Sequence, residues 1–223
     1  MDIIVDFFNK KYEKSINKKT LYYDYVLPTQ EVLQYVKDVI AVPVDMIVDY
    51  IRENDKNETI VAADVFQFSD FEDATFRACS LIKEVNNPGL TCLDVGKLLL
   101  NDGLTRKEGA LVKYGENHAK AATLIGLLFE LTHTYFLSIY GYVLECLTEE
   151  EKEQLLVRLI LRNKLISMLI KVGSLGRVDM RQFLYMLSDS TYLRRRSNMR
   201  KVLSVLQKCN EFEFKPIIDN LIF

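Results

Sequence analysis

The densest reactive chemistry in the sequence is cationic. Arg194, Arg195, Arg196, Arg200 and Lys201 fall within eight residues, with Ser197 and Asn198 among them. Guanidinium and ammonium groups at this density suit phosphate oxygens, and hydroxyl and amide side chains beside them suit base edges. Helical steps of about 100° with Leu203 as the buried centre place Arg194 and Lys201 almost opposite it. Ser197 and Asn198 then lie between them and the flank, while Arg195 and Arg196 fall nearer the apolar side. Arg194, Lys201 and Arg200 are therefore candidates for phosphates, and Ser197 and Asn198 for bases. Arg177 and Arg181 flank them from the preceding turn and helix. A weaker group lies upstream, where Lys113, Asn117 and Lys120 share one side of a helix whose other side holds Tyr114, Ala121 and Ile125. Asn117 and Lys120 are the candidates there, with Lys113 and Lys107 for backbone contact. Glu108 and Glu116 dilute the field.

Other chemistry is sparse. His118 falls on an apolar helix face, the setting of a packed histidine, and His133 falls on a loop. No His, Cys or carboxylate cluster has metal-ligand spacing, no glycine loop is built to cradle phosphate, and no G-x-S-x-G occurs. The expectation is a protein without catalytic site, metal or cofactor. The four cysteines are widely spaced without a C-x-x-C, which reads as four reduced, buried thiols in a cytoplasmic protein. No apolar run reaches the roughly 18 residues of a membrane span, and Met1 opens into acidic Asp2 and Asp6, unlike a secretory signal.

The net charge of −2 conceals an asymmetry. Residues 1–90 carry −6 and residues 171–201 carry +6. Such a segment binds a polyanion or docks on the chain's own acidic half, and charge alone does not choose.

The elements that must position these groups are mostly helical. A short helix and an irregular stretch to Pro28 are expected first. Thr29 then caps a helix with Val32, Leu33, Val36 and Val39, and Pro43 starts another with Met46, Ile47, Tyr50 and Ile51 on one face. Asn54 to Glu58 is the candidate boundary, and Thr59 to Phe68 reads as a strand. A helix with Phe71, Ala74, Ala78, Leu81, Ile82 and Val85 ends at Asn86-Asn87-Pro88-Gly89. Thr91 caps a short helix to Leu100, Arg106 to Tyr114 forms another, and Gly115 breaks it from Glu116 to Leu127. Leu128 to Leu137 reads as a hairpin with Thr132-His133 at its tip. The order then repeats. Helices at Glu149 to Ile160 and Asn163 to Val172 are followed by a turn at Gly173 to Gly176 and a short helix carrying Met180, Phe183, Leu184 and Leu187. Ser188 caps a long helix to Cys209, and Glu211 to Phe214 with Ile217 to Phe223 make a closing ribbon.

Two strings carry a family resemblance. One is Tyr114-Gly115-Glu116-Asn117-His118-Ala119-Lys120, followed by Leu124-Ile125-Gly126-Leu127 and, past the ribbon tip, Tyr135-Phe136-Leu137-Ser138-Ile139-Tyr140-Gly141. The other is Leu187-Ser188-Asp189-Ser190-Thr191 with Arg194-Arg195-Arg196-Ser197. Together they resemble the winged-helix DNA-recognition modules of bacterial type II and type IIS restriction endonucleases and related restriction-associated proteins. Ser138 stands where those modules usually carry Thr, and Asn198-Met199 replaces their Thr-Val. The resemblance spans roughly residues 71–214 and implies a mainly α fold with small β ribbons. The element order, helix, turn, helix and ribbon, then the same again, is that of two tandem winged helix-turn-helix units. They are expected at 69–147 and 148–223, behind an acidic helical region at 1–68 that lies outside the resemblance. A nuclease of that kind carries an acidic pair followed by Glu-x-Lys, and Asp64, Asp70 and Glu72 with Lys83 do not fit. The implied function is binding of duplex DNA by a recognition subunit or domain, beside a catalytic or methyltransferase partner. A winged-helix transcriptional regulator that homodimerises through its N-terminal helices, and a protein-interaction scaffold, remain alternatives.

Overall fold

The computed structural model describes residues 3–10, 29–54, 59–67, 74–85 and 89–223. These are mainly helical, with one small antiparallel ribbon, and none of their helices is long and apolar enough to cross a membrane. The irregular stretch before Pro28, most of the boundary Asn54 to Glu58, and the positions Phe68, Phe71 and Asn86 to Pro88 lie outside the described residues. Contacts divide the chain into two units, 1–38 with 70–152 and 39–69 with 153–223. The acidic N-terminal region is thus shared between them, unlike the expected three-part division.

In the first unit, α1 (Ile3–Phe8) sets Phe7 edge-on to Tyr140 with ring centroids 6.0 Å apart. Helix α2 (Thr29–Ala41) contributes its first ten residues, and α4 (Ala74–Glu84) buries Ala74, Ala78, Cys79 and Ile82. Thr91 caps α5 (Cys92–Leu99) as expected: its hydroxyl accepts the Asp94 N–H, while its own N–H donates to the Asp94 carboxylate at 3.0 Å.

Gly115 does not break the next helix. A single α6 (Glu108–Ile125) runs through it, because glycine there lets α5 and α6 approach backbone to backbone. A Cβ on Gly115 would lie 2.0 Å from the Cys92 carbonyl oxygen, and one on Gly96 would lie 2.0 Å from that of Leu111. Burial at the crossing outweighs glycine's poor helix propensity. Helix α6 stops at Gly126, whose φ of 89° is left-handed. Strands β1 (Leu128–Leu131) and β2 (Thr134–Leu137) pair antiparallel around Thr132 and His133, both at positive φ, the geometry of a two-residue hairpin turn. Leu90, between α4 and α5, exchanges backbone hydrogen bonds with Tyr135 at 3.0 and 2.9 Å and extends the ribbon by one position. Ser138 then caps α7 (Ile139–Val143) and donates to the Gly126 carbonyl at 2.6 Å.

The second unit contains α3 (Val44–Glu53), most of α8 (Glu149–Arg162), α9 (Lys164–Leu175), β3 (Val178–Asp179), α10 (Met180–Phe183), α11 (Asp189–Gln207), α12 (Lys215–Asp219) and β4 (Leu221–Ile222). Helix α3 buries Val44, Ile47, Val48 and Ile51, whereas Met46, expected on that face, is exposed. The residues expected as a strand from Thr59 form instead an extended strap with a 3-10 turn at Ala62–Asp64. The Asp64 carboxylate accepts the Val61 N–H, and Lys164 binds both that carboxylate and the Thr59 carbonyl. Local polar closure wins over β propensity there. Gly173 to Leu175 continue α9, so the expected turn shrinks to Gly176. The closing ribbon is absent: Pro216 opens α12 in place of interrupting a strand, and β4 pairs parallel to β3. Asn163, Asp179 and Ser188 cap α9, α10 and α11 with their side chains. Arg158, on α8, is 2% exposed and donates to the Val42 carbonyl, the Gln154 carbonyl and both Glu211 carboxylate oxygens.

Of the four thiols expected in the interior, only Cys79 is buried, which pushes its ionisation far up; Cys146, at the end of a surface 3-10 turn, is exposed.

Two glycine substitutions on α6 separate crossing from propensity. Gly115→Ala is expected to destabilise by about 2–3 kcal/mol in urea unfolding, since the Cys92 backbone blocks the added methyl. Gly109→Ala, with open space at its Cβ, is expected to leave stability unchanged or raise it by up to about 1 kcal/mol.

Candidate nucleic-acid interface

Helix α11 buries Tyr192, Met199, Val202, Leu203 and Leu206. Its opposite side follows from the same helical steps. Ser190, Leu193, Arg194, Ser197, Arg200, Lys201 and Ser204, with Lys208 at the helix end, lie within about 60° of Ser197. Every charged group on this arc is positive. Serines 190, 197 and 204 recur every seventh residue, close to two helical turns, and leave open ground between the cations. That spacing marks Ser190 and Ser204 in the sequence beyond the expected residues, and Lys208 follows Lys201 at the same interval. The Ser197 and Ser204 hydroxyls donate to the Arg194 and Lys201 carbonyls, leaving hydroxyl lone pairs outward.

The expected residues divide into two groups. Arg194, Arg200, Lys201 and Ser197 stand on the exposed arc. Among the described residues no carboxylate pairs with Arg194, Arg200 or Lys201, and Arg200 lies 5.1 Å from the Phe223 ring centroid. Arg177 is exposed just before β3. Asn198 and Arg181, in contrast, serve the fold. Asn198 donates to the Gln67 carbonyl at 2.7 Å, so its amide fastens the end of the strap. Arg181 pairs with Asp189 at 2.6 Å and lies 5.5 Å from the Tyr192 ring. Arg195 turns inward, as its helical position implied. It donates to the Ala62 and Val65 carbonyls, and burial, then Arg194 beside it, lower its proton affinity.

On α6 the expected cations are offset. Glu116 sits between Lys113 and Lys120, with Nζ–Oε distances of 2.9 and 2.5 Å, and these two hydrogen bonds hold its carboxyl below the usual range. Asn117 is half-buried beside them. His118 is buried, with Nδ1 2.9 Å from the Tyr114 carbonyl oxygen and its ring 4.2 Å from that of Tyr114, as a packed histidine should be. His133 is exposed at the hairpin tip, 3.5 Å from Glu130. Among the described residues no three His, Cys, Asp or Glu side chains are grouped to hold a metal ion.

No protein-family model matches the chain, and neither curated proteins nor solved structures return a match.

Two measurements test these assignments. Asn198→Ala is expected to cost about 1 kcal/mol of stability, while Arg194→Ala stays within about 0.5 kcal/mol of the parent; equal losses would mean that Asn198 does not hold the strap. The lowered carboxyl of Glu116 contributes fully above the ordinary glutamate range, and the contribution disappears as pH falls through its lowered folded value. Acid unfolding followed by circular dichroism should therefore lose that component in Glu116→Gln.

Proposed function

We propose that the protein binds duplex DNA, with α11 presenting its basic arc to the major groove. The observation that carries this is an exposed helix face on which Arg194, Arg200 and Lys201 alternate with serines and no carboxylate intervenes. Guanidinium and ammonium groups on such a face neutralise phosphates along the groove walls, and small hydroxyl side chains between them reach base edges.

The first unit supports a winged-helix reading through its order: α4, a bridge residue at Leu90, α5, α6 and the β1–β2 ribbon. In the second, α10 and α11 supply the helix pair, with α12 and the parallel β4 where a wing would stand. Helix α6 has a supporting place at most, since Glu116 offsets both lysines. Within the proposal the chain is a restriction-associated recognition protein that carries no catalytic site of its own and works beside a catalytic partner.

The double variant Arg194→Ala/Lys201→Ala, titrated against duplexes of unrelated sequence, is expected to bind all of them more weakly. The slope of log affinity against log salt should fall by about two. Parental affinity and slope would remove the arc from the proposal.

A further inference from the structure

One flank of α11 holds an arrangement that shares only Arg200 with the exposed arc. Tyr192, Arg196 and Arg200 follow one another at i, i+4 and i+8, so they form a single row along the helix. The row faces α10, as shown by Arg181, which pairs with Asp189 on α11 and places its guanidinium 5.5 Å from the Tyr192 ring centroid. Tyr192 is only 5% exposed, and its buried hydroxyl meets no hydrogen-bond partner among the described residues. A buried hydroxyl without a partner costs free energy that phenylalanine at the same place would not.

The surroundings are cationic. Burial raises the proton affinity of the phenol, so it stays a hydrogen-bond donor; Arg196, Arg200 and Arg181 oppose the shift and Asp179 adds to it. Both nearby carboxylates are engaged: Asp179 caps α10 through the Arg181 and Gln182 N–H groups, and Asp189 holds Arg181. Arg196 and Arg200 have no carboxylate partner among the described residues. A protonated phenol beside two unneutralised guanidinium groups is a donor set for a phosphate group.

We infer that Tyr192 and Arg196, joined by Arg200 from the edge of the exposed arc, bind a backbone phosphate of nucleic acid on the α10 side of α11. The inference rests on the DNA-binding proposal and adds to it a second phosphate position, marked by Tyr192 and Arg196. On binding, the guanidinium groups gather around the phosphate and the hydroxyl, once exposed, donates to a phosphate oxygen. The carboxylates stay on their present partners.

The experiment is a fluorescence-anisotropy titration of a random-sequence duplex with the full chain and with Tyr192→Phe and Arg196→Ala, each also followed by thermal unfolding. Tyr192→Phe is expected to bind about tenfold more weakly with a Tm equal to or above the parent's. Arg196→Ala should lower the salt slope by about one. Parental DNA affinity in Tyr192→Phe overturns the inference and leaves the exposed arc standing. A lower Tm in Tyr192→Phe overturns it too, by showing that the fold itself uses the hydroxyl. Stabilisation by inorganic phosphate that Tyr192→Phe abolishes, with duplex affinity unchanged, replaces it with a free-anion site. A parent chain that binds no duplex overturns both this inference and the proposal beneath it.

Discussion

A full positive charge sits inside the second unit, and its neutralisation constrains everything around it. Arg158 lies on α8 among the buried Leu155, Leu156, Leu159 and Ile160. A guanidinium so placed is tolerated only when its N–H groups all find acceptors. The acceptors come from three places: the Val42 carbonyl ahead of α3, the Gln154 carbonyl on α8 itself, and Glu211 beyond the end of α11. Directional bonds to a planar fork fix position as apolar contact cannot. The exit of α11 is therefore pinned at one end, while Arg195 and Asn198 pin its middle to the strap. The opposite side of the helix that carries the proposed DNA-binding face is thus bonded at both places.

The first unit solves a similar problem without charge. Gly96 and Gly115 let α5 and α6 touch backbone to backbone, and close approach of this kind tolerates no variation in side-chain volume. The ribbon and Ser138 then fix where α6 ends. Its exposed cations, though, are shared with Glu116. The two units thus invest their charged residues differently: on α6 in intrahelical pairs, on α11 in a face left open.

Local signals were legible in the sequence. Thr91 and Ser188 announced helix starts, and Thr132-His133 announced a hairpin tip, because each acts through its own neighbours. The misreadings share a cause. Gly115 resembles a helix breaker until Cys92 is known to lie against it, and Pro216 resembles a strand breaker until α12 begins there. The strap is β-prone in composition, yet Lys164, a hundred residues away, decides its path. At the candidate site, helical periodicity placed Arg194 and Lys201 outward and Arg195 inward. It left Asn198 available for bases, since nothing near it in sequence reveals the Gln67 carbonyl.

The strap also bears on the order of assembly. Arg195 and the Ala62 carbonyl that it grips are separated by 133 residues, and the chain between them includes most of the first unit. During synthesis the first unit can close once Lys152 has emerged, while residues 39–69 wait for α8 and α11 to be made. Val65 and Phe66, fully buried in the finished fold, spend that interval without their partners. Contacts of such high sequence separation are slow to form, and apolar surface exposed meanwhile invites association. The second unit is thus the late-closing part of the molecule, with α11, α12 and β4 the last elements to join it.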